Sequence, residues 1–233
     1  MLRTLTGSCL FYLGLVLVTI PYSFVTLLCL PFPRKTRYKI ITLWNRFIIS
    51  WLEMTCCISW KVNGLENIPS KGPYIVMSNH QSAWETIAFL TLFDPLVIIL
   101  KRELLWIPFF GWSLSMLNPI ALDRGSARQS LRQLMREAKI RLNNSECLII
   151  FPEGTRVSPN KESDYKLGGA VIACDNNIPV LPVAHDAGKY WPRKSFIKKP
   201  GEIKITIGKA LDTQLITPKE LNKKIKDWIE KNK

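Results

Sequence analysis

A run of thirty residues without a charged side chain occupies positions 4–33, and it limits what the amino-terminal part of the chain can form. As a helix rising about 1.5 Å per residue, this run is long enough to cross the roughly 30 Å hydrocarbon core of a bilayer. A cleaved signal peptide has a shorter apolar part, of about 7–15 residues, followed by a small-residue cleavage site that is absent here. Four basic residues follow the run instead and favour a cytosolic position for this end of it: Arg34, Lys35, Arg37 and Lys39.

Two features complicate a simple membrane span. Pro21 lies inside the apolar run and is expected to kink or break a helix there. The following segment, residues 38–57, is apolar over much of its surface but carries Arg46 and Glu53, which is typical of a helix lying at the membrane interface. We predict that residues 5–57 form a two-helix hairpin dipping into one leaflet, with a single membrane span as the alternative. Either arrangement divides the chain into a membrane-anchoring part, residues 1–57, and a globular part, residues 58–233.

After residue 58 the pattern changes to short apolar runs, bounded by turn residues, that alternate with amphipathic stretches. This alternation predicts an α/β fold with a mixed, largely parallel sheet flanked by helices. The hydrophobic content of 47% excludes a disordered chain. The predicted strands are residues 58–62, 74–78, 96–100, 120–123, 147–151, 180–184 and 202–207. The predicted helices are residues 84–92, 113–117, 127–142, 168–174 and 218–231, the last of which begins with a capping box at Thr217 and Glu220.

The chain is strongly basic, with 32 Lys and Arg residues against 18 Asp and Glu and a formal net charge of +14. Such a charge indicates an anionic partner. No RNA-binding signature of paired aromatic residues accompanies it, so we expect an anionic membrane surface rather than nucleic acid. The two histidines, His80 and His185, are not at ligand spacing from a cysteine pair, and the sequence indicates neither a metal ion nor a tightly bound cofactor.

The first candidate for chemistry is the segment Asn79-His80-Gln81-Ser82-Ala83-Trp84-Glu85, which follows a predicted strand. Loops at strand ends are where α/β folds usually place their sites. Two residues five apart lie about 140° apart on a straight helix, but a turn between them could bring the Glu85 carboxylate to one ring nitrogen of His80. The other nitrogen could then take a proton from a hydroxyl group. A surface histidine beside an unrelated glutamate is the alternative.

Three further segments place polar residues at the ends of predicted strands. Glu153, Gly154 and Arg156 either offer backbone N–H groups and a forked cation to an anion or belong to an ordinary turn. Arg124 lies at the end of a predicted strand, shortly before Ser126 opens a predicted helix, and this arrangement suits a phosphate group. His185 is either a second acid or base or, as we favour, a packing or hydrogen-bonding residue. No Walker A, G-x-G-x-x-G or G-x-S-x-G motif occurs, which argues against nucleotide hydrolysis, dinucleotide binding and a serine-hydrolase site.

Four blocks occur in a specific order along the chain: Asn79-His80-x4-Glu85, Leu122-Asp123-Arg124-Gly125, Phe151-Pro152-Glu153-Gly154-Thr155-Arg156 and Ile178-Pro179-Val180-Leu181-Pro182-Val183. In this order they resemble the glycerolipid acyltransferase family, and within it the bacterial 1-acyl-sn-glycerol-3-phosphate (lysophosphatidic acid) acyltransferases. The stretches that begin at Lys101 and Tyr165 agree with the same family. One departure is Glu85, since the family's usual block is His-x4-Asp. Glutamate can orient an imidazole as aspartate does, on a side chain one carbon longer.

The resemblance implies acyl transfer from acyl-CoA or acyl-acyl carrier protein to the free hydroxyl of a lysophospholipid, without an acyl-enzyme. It implies that His80 is the general base on that hydroxyl and that Glu85 holds its tautomer. The other residues that the resemblance assigns to the acceptor are Lys101, Arg124 and Arg156, at its phosphate, and Glu153, Gly154 and Thr155, which shape its site.

The predicted reaction is acylation of the sn-2 hydroxyl of lysophosphatidic acid to phosphatidic acid, with the active site on the cytosolic face of a membrane, the bacterial inner membrane by resemblance. An acyltransferase of the same fold acting on lysophosphatidylethanolamine or an amino-lysolipid is the main alternative. A thioesterase would use the same base on water, but the phosphate-suited cations argue against it. A non-catalytic membrane adaptor would tolerate His80→Ala, whereas an enzyme that relies on this base should lose about 10²-fold or more in rate.

Overall fold

The computed structural model describes residues 2–93, 95–123 and 125–233 of the chain. The helices within these residues are α1 (Leu2–Leu28), α2 (Arg34–Cys56), α3 (Trp84–Leu92), α4 (Phe110–Met116), α5 (Ala127–Asn143), α6 (Gly168–Asp175) and α7 (Pro218–Asn232). The strands are β1 (Ile58–Asn63), β2 (Ile75–Ser78), β3 (Leu96–Lys101), β4 (Ile120–Leu122), β5 (Cys147–Ile150), β6 (Val180–His185) and β7 (Gly201–Ile207). A 3-10 turn, Arg102–Trp106, connects β3 toward α4.

A sheet with the strand order β1-β7-β6-β2-β5-β3-β4 forms the centre of the molecule. The five neighbouring strands from β6 to β4 run parallel to one another, and β1 runs parallel to β7. The pairing of β6 with β7 is antiparallel. The prediction of a mixed, largely parallel sheet is therefore confirmed. Every residue of β2 and of β5 is buried, as expected for parallel strands covered by helices on both faces.

Helices cover both faces of this sheet. On one face, Ile48 of α2 and Phe89 of α3 pack in a core with inward side chains of the strands. On the other face, Leu142 of α5, Ala170 of α6 and Ile225 of α7 form a second core. The fold thus has the three layers of an α/β protein. The helices cover the faces of the sheet and not the ends of its strands.

The first helix, α1, is long and apolar enough to cross a membrane by length and composition, with a mean hydropathy of 1.9 over its most apolar window. It continues through Pro21 as one helix, so Pro21 does not break it. Most of its large apolar side chains face away from the protein, among them Leu13, Leu17 and Leu28. An outward apolar surface of this kind needs an apolar environment or a partner.

The second helix, α2, joins the globular part more closely than a purely interfacial helix would. Four of the apolar side chains that predicted membrane contact are buried in the protein: Ile41, Ile48, Ile49 and Leu52. The side chain of Asn45 donates a hydrogen bond to the carbonyl of Ile87 at 3.0 Å. Its outward apolar side chains include Leu43, Phe47 and Met54. The end of α2 at Cys56 coincides with the predicted boundary at residue 57, but its buried face shares the core of the sheet.

The predicted elements of the globular part agree with the structure in position and type. The largest difference is at α4, which begins at Phe110 rather than at Ser113. Its first turn packs tightly against the preceding 3-10 turn. A Cβ on Gly111 would lie 2.4 Å from the carbonyl oxygen of Leu105, so this close approach requires glycine. The capping box predicted for α7 is confirmed, since Thr217 and Glu220 each bond the backbone N–H of the other.

Candidate active site

The parallel strands bring their carboxyl ends to one edge of the sheet. His80 follows β2, and the segment 151–156 follows β5. Lys101 and His185 are the last residues of β3 and β6. Residues that are far apart in the sequence are therefore collected at the edge where open α/β sheets place their binding sites.

His80 and Glu85 form a direct pair at this edge. Nδ1 of His80 lies 2.8 Å from Oε1 of Glu85. Glu85 belongs to the first turn of α3, and the turn between β2 and α3 folds its side chain back toward the histidine. Because a carboxylate only accepts, this contact assigns the proton to Nδ1 and the lone pair to Nε2. Nε2 has no hydrogen-bond partner among the described residues, so it is available to accept a proton.

The Glu85 carboxylate is held in a cradle of donors. The side chain is fully buried, and Oε1 also accepts the backbone N–H groups of Gln81 at 2.9 Å and Ser82 at 2.8 Å. Burial alone raises the pKa of Glu85, but hydrogen bonds from the His80 ring and the Ser82 N–H act in the opposite direction, and the pKa lies below its usual value. The group therefore stays ionised, and the cradle accommodates the glutamate that stands where the family's usual block has aspartate.

The segment after β5 fixes His80 from a second side. The ring of Phe151 stacks on the imidazole, with 4.1 Å between ring centres and 17° between the planes. The N–H of His80 donates to Oε2 of Glu153 at 2.6 Å. The backbone carbonyl of His80 accepts a hydrogen bond from the N–H of Val157 at 2.7 Å. Both peptide groups and one face of the ring are thus held, which limits the histidine to one orientation.

Glu153 contacts the site at the backbone of His80. Its side chain is buried, only 8% exposed, and it is not among the residues that line the cavity described below. Burial raises the pKa of Glu153 to about 7, although the hydrogen bond from His80 and the charge of Lys233 act in the opposite direction. Glu153 therefore acts on the site through the His80 peptide.

Asn79 and His185 tie the ends of β2 and β6 together, and sequence analysis assigned no role to Asn79. The Asn79 amide bonds both the N–H and the C=O of His185, at 3.1 and 2.8 Å. His185 Nε2 donates to the Asn79 carbonyl at 2.8 Å, and Nδ1 accepts the Ala187 N–H at 3.3 Å. Burial lowers the pKa of His185. The hydrogen-bonding role that we favoured for His185 is confirmed, and the signal for Asn79 was its place next to His80.

A cavity of about 930 Å³ opens beside His80, within the usual range of ligand pockets, roughly 300–1,000 Å³. Its apolar walls come from α2, α3, β3, α4 and α5, for example Ile41, Ile87, Leu100, Leu114 and Leu134. Thr19, Tyr22 and Thr26 of α1 also line it. The cavity thus extends from the histidine to the amino-terminal helices.

Basic side chains line the same cavity. Lys101 is half exposed, with Nζ 3.0 Å from Oε1 of Glu103. The buried Nε of Arg156 has no hydrogen-bond partner among the described residues. Two further lining cations, Lys166 and Arg193, were not predicted. Nη1 of Arg193 donates to the Arg156 carbonyl at 2.7 Å, and the basic run around residue 193 was the only signal for it.

The remaining predicted residues are Arg124, Gly154 and Thr155. Arg124 lies outside the described residues. Gly154 and Thr155 both line the cavity. Gly154 has a φ of +70°, and a Cβ there would lie 2.8 Å from Nζ of Lys166, so this turn favours glycine. The turn lets the backbone pass close to the cavity.

The chemistry that this edge allows is proton transfer beside a cavity with both cationic and apolar lining residues. Among residues 2–93, 95–123 and 125–233, no cluster of three or more His, Cys, Asp or Glu side chains could hold a metal ion. An imidazole with a free Nε2 can act as a base on a hydroxyl group. The guanidinium and ammonium groups suit a phosphate, and the apolar walls suit a hydrocarbon chain.

Comparison with known proteins identifies the family. Residues 59–186 match the family model described as Acyltransferase. The chain is 40% identical over 210 residues to the 1-acyl-sn-glycerol-3-phosphate acyltransferase of Pseudomonas aeruginosa, which covers 89% of this chain and 81% of that relative. It is 31% identical over 202 residues to a chloroplastic 1-acyl-sn-glycerol-3-phosphate acyltransferase of Arabidopsis thaliana, which covers 84% of this chain and 54% of that relative.

A solved structure is similar over nearly the whole chain. The crystal structure of the 1-acyl-sn-glycerophosphate (LPA) acyltransferase from Thermotoga maritima matches with a TM-score of 0.82 at 27% sequence identity. The match covers 99% of this chain and 95% of that structure. The similarity therefore includes the two amino-terminal helices as well as the sheet.

Proposed function

Because this chain belongs to the acyltransferase family, we propose that it transfers a fatty acyl group from an acyl thioester to the sn-2 hydroxyl of lysophosphatidic acid, which gives phosphatidic acid. The observation that carries this proposal is the pair formed by His80 and Glu85, 2.8 Å apart, with His80 in the wall of a cavity that has both basic and apolar lining residues. The names of the relatives support the same acceptor.

In the proposed reaction, Nε2 of His80 takes the proton of the acceptor hydroxyl while the hydroxyl oxygen attacks the thioester carbonyl carbon. Glu85 keeps the proton on Nδ1 and stabilises the imidazolium that forms. The C–S bond then breaks, and the leaving thiolate takes the proton back from Nε2. The acyl group passes directly to the acceptor, so this route requires no nucleophilic side chain.

Substrate binding follows from the two kinds of lining residue. We assign the acceptor phosphate to Lys101, Arg156 and Arg193, together with Arg124. Charge-assisted hydrogen bonds from guanidinium groups to phosphate are among the stronger ones available. The apolar walls take hydrocarbon from the acceptor or the donor, and Gly154 and Thr155 shape the turn beside the phosphate. The donor is acyl-CoA or acyl-acyl carrier protein, both of which are acidic and match the charge of +14.

The amino-terminal helices provide the membrane attachment in this proposal. Residues 1–57 form the anchoring part, with α1 in the bilayer, and residues 58–233 form the acyltransferase part on the cytosolic face, at the inner membrane if the source is bacterial. The basic residues after α1 favour that side. An enzyme attached in this way meets a lipid acceptor within the membrane surface.

The test is thiol release from oleoyl-CoA by the full chain in detergent micelles, with lysophosphatidic acid or lysophosphatidylethanolamine as the acceptor. Each assay needs a blank without acceptor, because Cys9 and Cys57 are free and exposed. We expect release that requires lysophosphatidic acid and that falls by about 10²-fold or more in His80→Ala. A melting curve of the variant separates loss of the base from loss of the fold.

Two outcomes would change the proposal. Release with lysophosphatidylethanolamine alone would keep the chemistry and replace the acceptor. No release with either acceptor, followed by none with acyl-acyl carrier protein as the donor, would overturn it.

A further inference from the structure

Four apolar side chains are exposed close together on the segment between β3 and the end of α4. Trp106 has 71% of its surface exposed, which is unusual for so large an apolar group. The set, which we call the Trp106 patch, consists of Leu104, Trp106, Ile107 and Trp112. A cluster of this kind on a protein surface indicates contact with a partner or a membrane.

The Trp106 patch continues the outward apolar surface of α1. Phe24 of α1 packs against the ring of Trp112, with 6.5 Å between ring centres, and against Phe109 at 6.0 Å. The hydroxyl groups of Thr26 and Ser113 are 2.9 Å apart. Helix α4 therefore packs on the carboxyl-terminal half of α1, and both elements present apolar side chains to the same surroundings.

The charges beside the patch suit an anionic surface. Lys101 and Arg102 directly precede it, and both are exposed. Between residues 101 and 116 the acidic residue is Glu103, which pairs with Lys101. Exposed tryptophans with neighbouring basic residues are typical of protein surfaces that lie at lipid headgroups.

The reverse side of the same segment faces the cavity. Phe110, Ser113 and Leu114 line the cavity that contains His80, and Leu104 borders both the cavity and the patch. Whatever contacts the Trp106 patch therefore lies directly outside the cavity wall. Contact with a bilayer would let an amphipathic substrate enter the cavity without first dissolving in water.

We propose that the Trp106 patch is a second membrane contact, which inserts among the headgroups of an anionic bilayer beside α1 and seats the cavity on the membrane surface. The proposal goes beyond the acyl transfer proposed above, because α1 alone would leave the orientation of the globular part open. The contact restricts that orientation, with α1 as the anchor and the Trp106 patch as the second point of support.

Tryptophan fluorescence tests the contact without relying on activity. The full chain is reconstituted into vesicles of phosphatidylcholine and phosphatidylglycerol, and the contribution of Trp106 is the difference between the wild type and Trp106→Phe. We expect lipids brominated near the headgroup end of the acyl chain to quench this contribution. Quenching by aqueous iodide, with no effect of the brominated lipids on vesicle-bound protein, would overturn the proposal.

Kinetics with an acidic substitution provide a second test, which also requires the acyl transfer proposed above. We expect Trp106→Glu to lower kcat/KM about tenfold for acceptor held in anionic vesicles and to leave the rate in detergent micelles unchanged. Leu215→Glu is the matched control, since Leu215 is fully exposed on a different loop and should change neither rate. An equal loss in vesicles and micelles would contradict a membrane contact. A loss confined to assays with acyl-acyl carrier protein as the donor would also contradict it and would indicate a protein partner.

Discussion

Oε2 of Glu153 accepts the backbone N–H of His80 at 2.6 Å, so a carboxylate from the segment after β5 holds the histidine by its peptide. Glu153→Ala removes this acceptor and leaves a buried N–H without a partner. We expect kcat to fall about ten- to a hundredfold, because small displacements of a catalytic group are costly. Thiol-release kinetics measure the effect. Glu153→Gln keeps an acceptor oxygen and should retain more activity, and equal rates for both variants and the wild type would contradict this role.

The raised pKa of Glu153 also predicts a pH-dependent stability. The pKa is about 7 in the fold, compared with 4.5 for the free group. Between these values the folded chain keeps a proton that the unfolded chain releases, so raising the pH lowers the free energy of unfolding. The loss from this group amounts to at most about 3 kcal/mol.

Comparison with Glu153→Gln isolates this contribution from those of the other carboxylates. The free energy of unfolding of the variant minus that of the wild type should increase from about pH 4.5 to about pH 7 and level off above it. Denaturant unfolding in detergent micelles at several pH values measures this difference. A difference that is constant or decreases over that range would show that the carboxyl is not buried as described.

Glu85 shows how the site tolerates a longer acidic side chain. Its Oε1 accepts from the His80 ring and from the Gln81 and Ser82 N–H groups. In Glu85→Gln an amide N–H can face Nδ1 and move the histidine proton to Nε2, so we expect a loss of at least about 10²-fold in kcat. Glu85→Asp keeps the charge, but its shorter side chain moves the carboxylate away from the Gln81 and Ser82 N–H groups.

Steady-state kinetics of these two variants distinguish the effect of the carboxylate charge from the effect of side-chain length. We expect a smaller loss for Glu85→Asp, about tenfold, although aspartate is the usual residue of the family's block. The reason is that the turn between β2 and α3 is built around the longer side chain in this chain. Wild-type activity of Glu85→Gln would refute a role for the carboxylate in orienting His80.

The sequence predicted the fold from local patterns. Spacing left the contact of His80 with Glu85 open, and the resemblance of four ordered blocks to a known family implied it. Short apolar runs between turns identify the strands, and parallel strands bring their ends together without further information. The contacts of Glu153 and Arg193 depend on how loops from distant elements fold over the sheet edge. No residue pattern within either loop shows that Glu153 reaches the His80 peptide.

The buried face of α2 illustrates the same limit. An amphipathic helix near a membrane segment has one apolar face in the sequence, whether that face contacts lipid or protein. Ile41 and Ile48 contact the protein core, and that distinction requires the position of α3 and the sheet. Periodicity identifies a buried face but not what buries it.

Arg193 lines the cavity beside Arg156, and its removal should weaken the binding of a phosphate-bearing acceptor. We expect Arg193→Ala to raise the KM for lysophosphatidic acid about tenfold, since a charge-assisted hydrogen bond contributes roughly 1.5–3 kcal/mol. The kcat should change little. Acceptor titrations at saturating donor measure both, with Lys194→Ala, an exposed neighbour outside the cavity wall, as the control. A changed kcat with an unchanged KM would exclude this role.

A buried lysine links α1 to the globular part. Nζ of Lys198 donates to the Tyr12 hydroxyl and to the Phe196 carbonyl, each at 2.8 Å. It lies 4.4 Å from the ring centre of Tyr12 and 4.8 Å from that of Trp191. Burial lowers the pKa of Lys198 to about 8. Among the described residues no carboxylate lies within ion-pair distance of it, so aromatic rings and carbonyl oxygens stabilise its charge.

Replacing this lysine with methionine should weaken the attachment of α1 to the globular part. Lys198→Met keeps most of the volume but leaves the Tyr12 hydroxyl and the backbone carbonyls without their donor, so we expect a loss of about 1–3 kcal/mol in the free energy of unfolding. Because the pKa is lowered in the fold, the wild type should gain stability over the variant between about pH 8 and about pH 10.5. Thermal unfolding in micelles measures both effects, and Lys199→Met, at an exposed neighbour, should show neither. A variant as stable as the wild type would mean that the burial cost of the ammonium group cancels its bonds to α1.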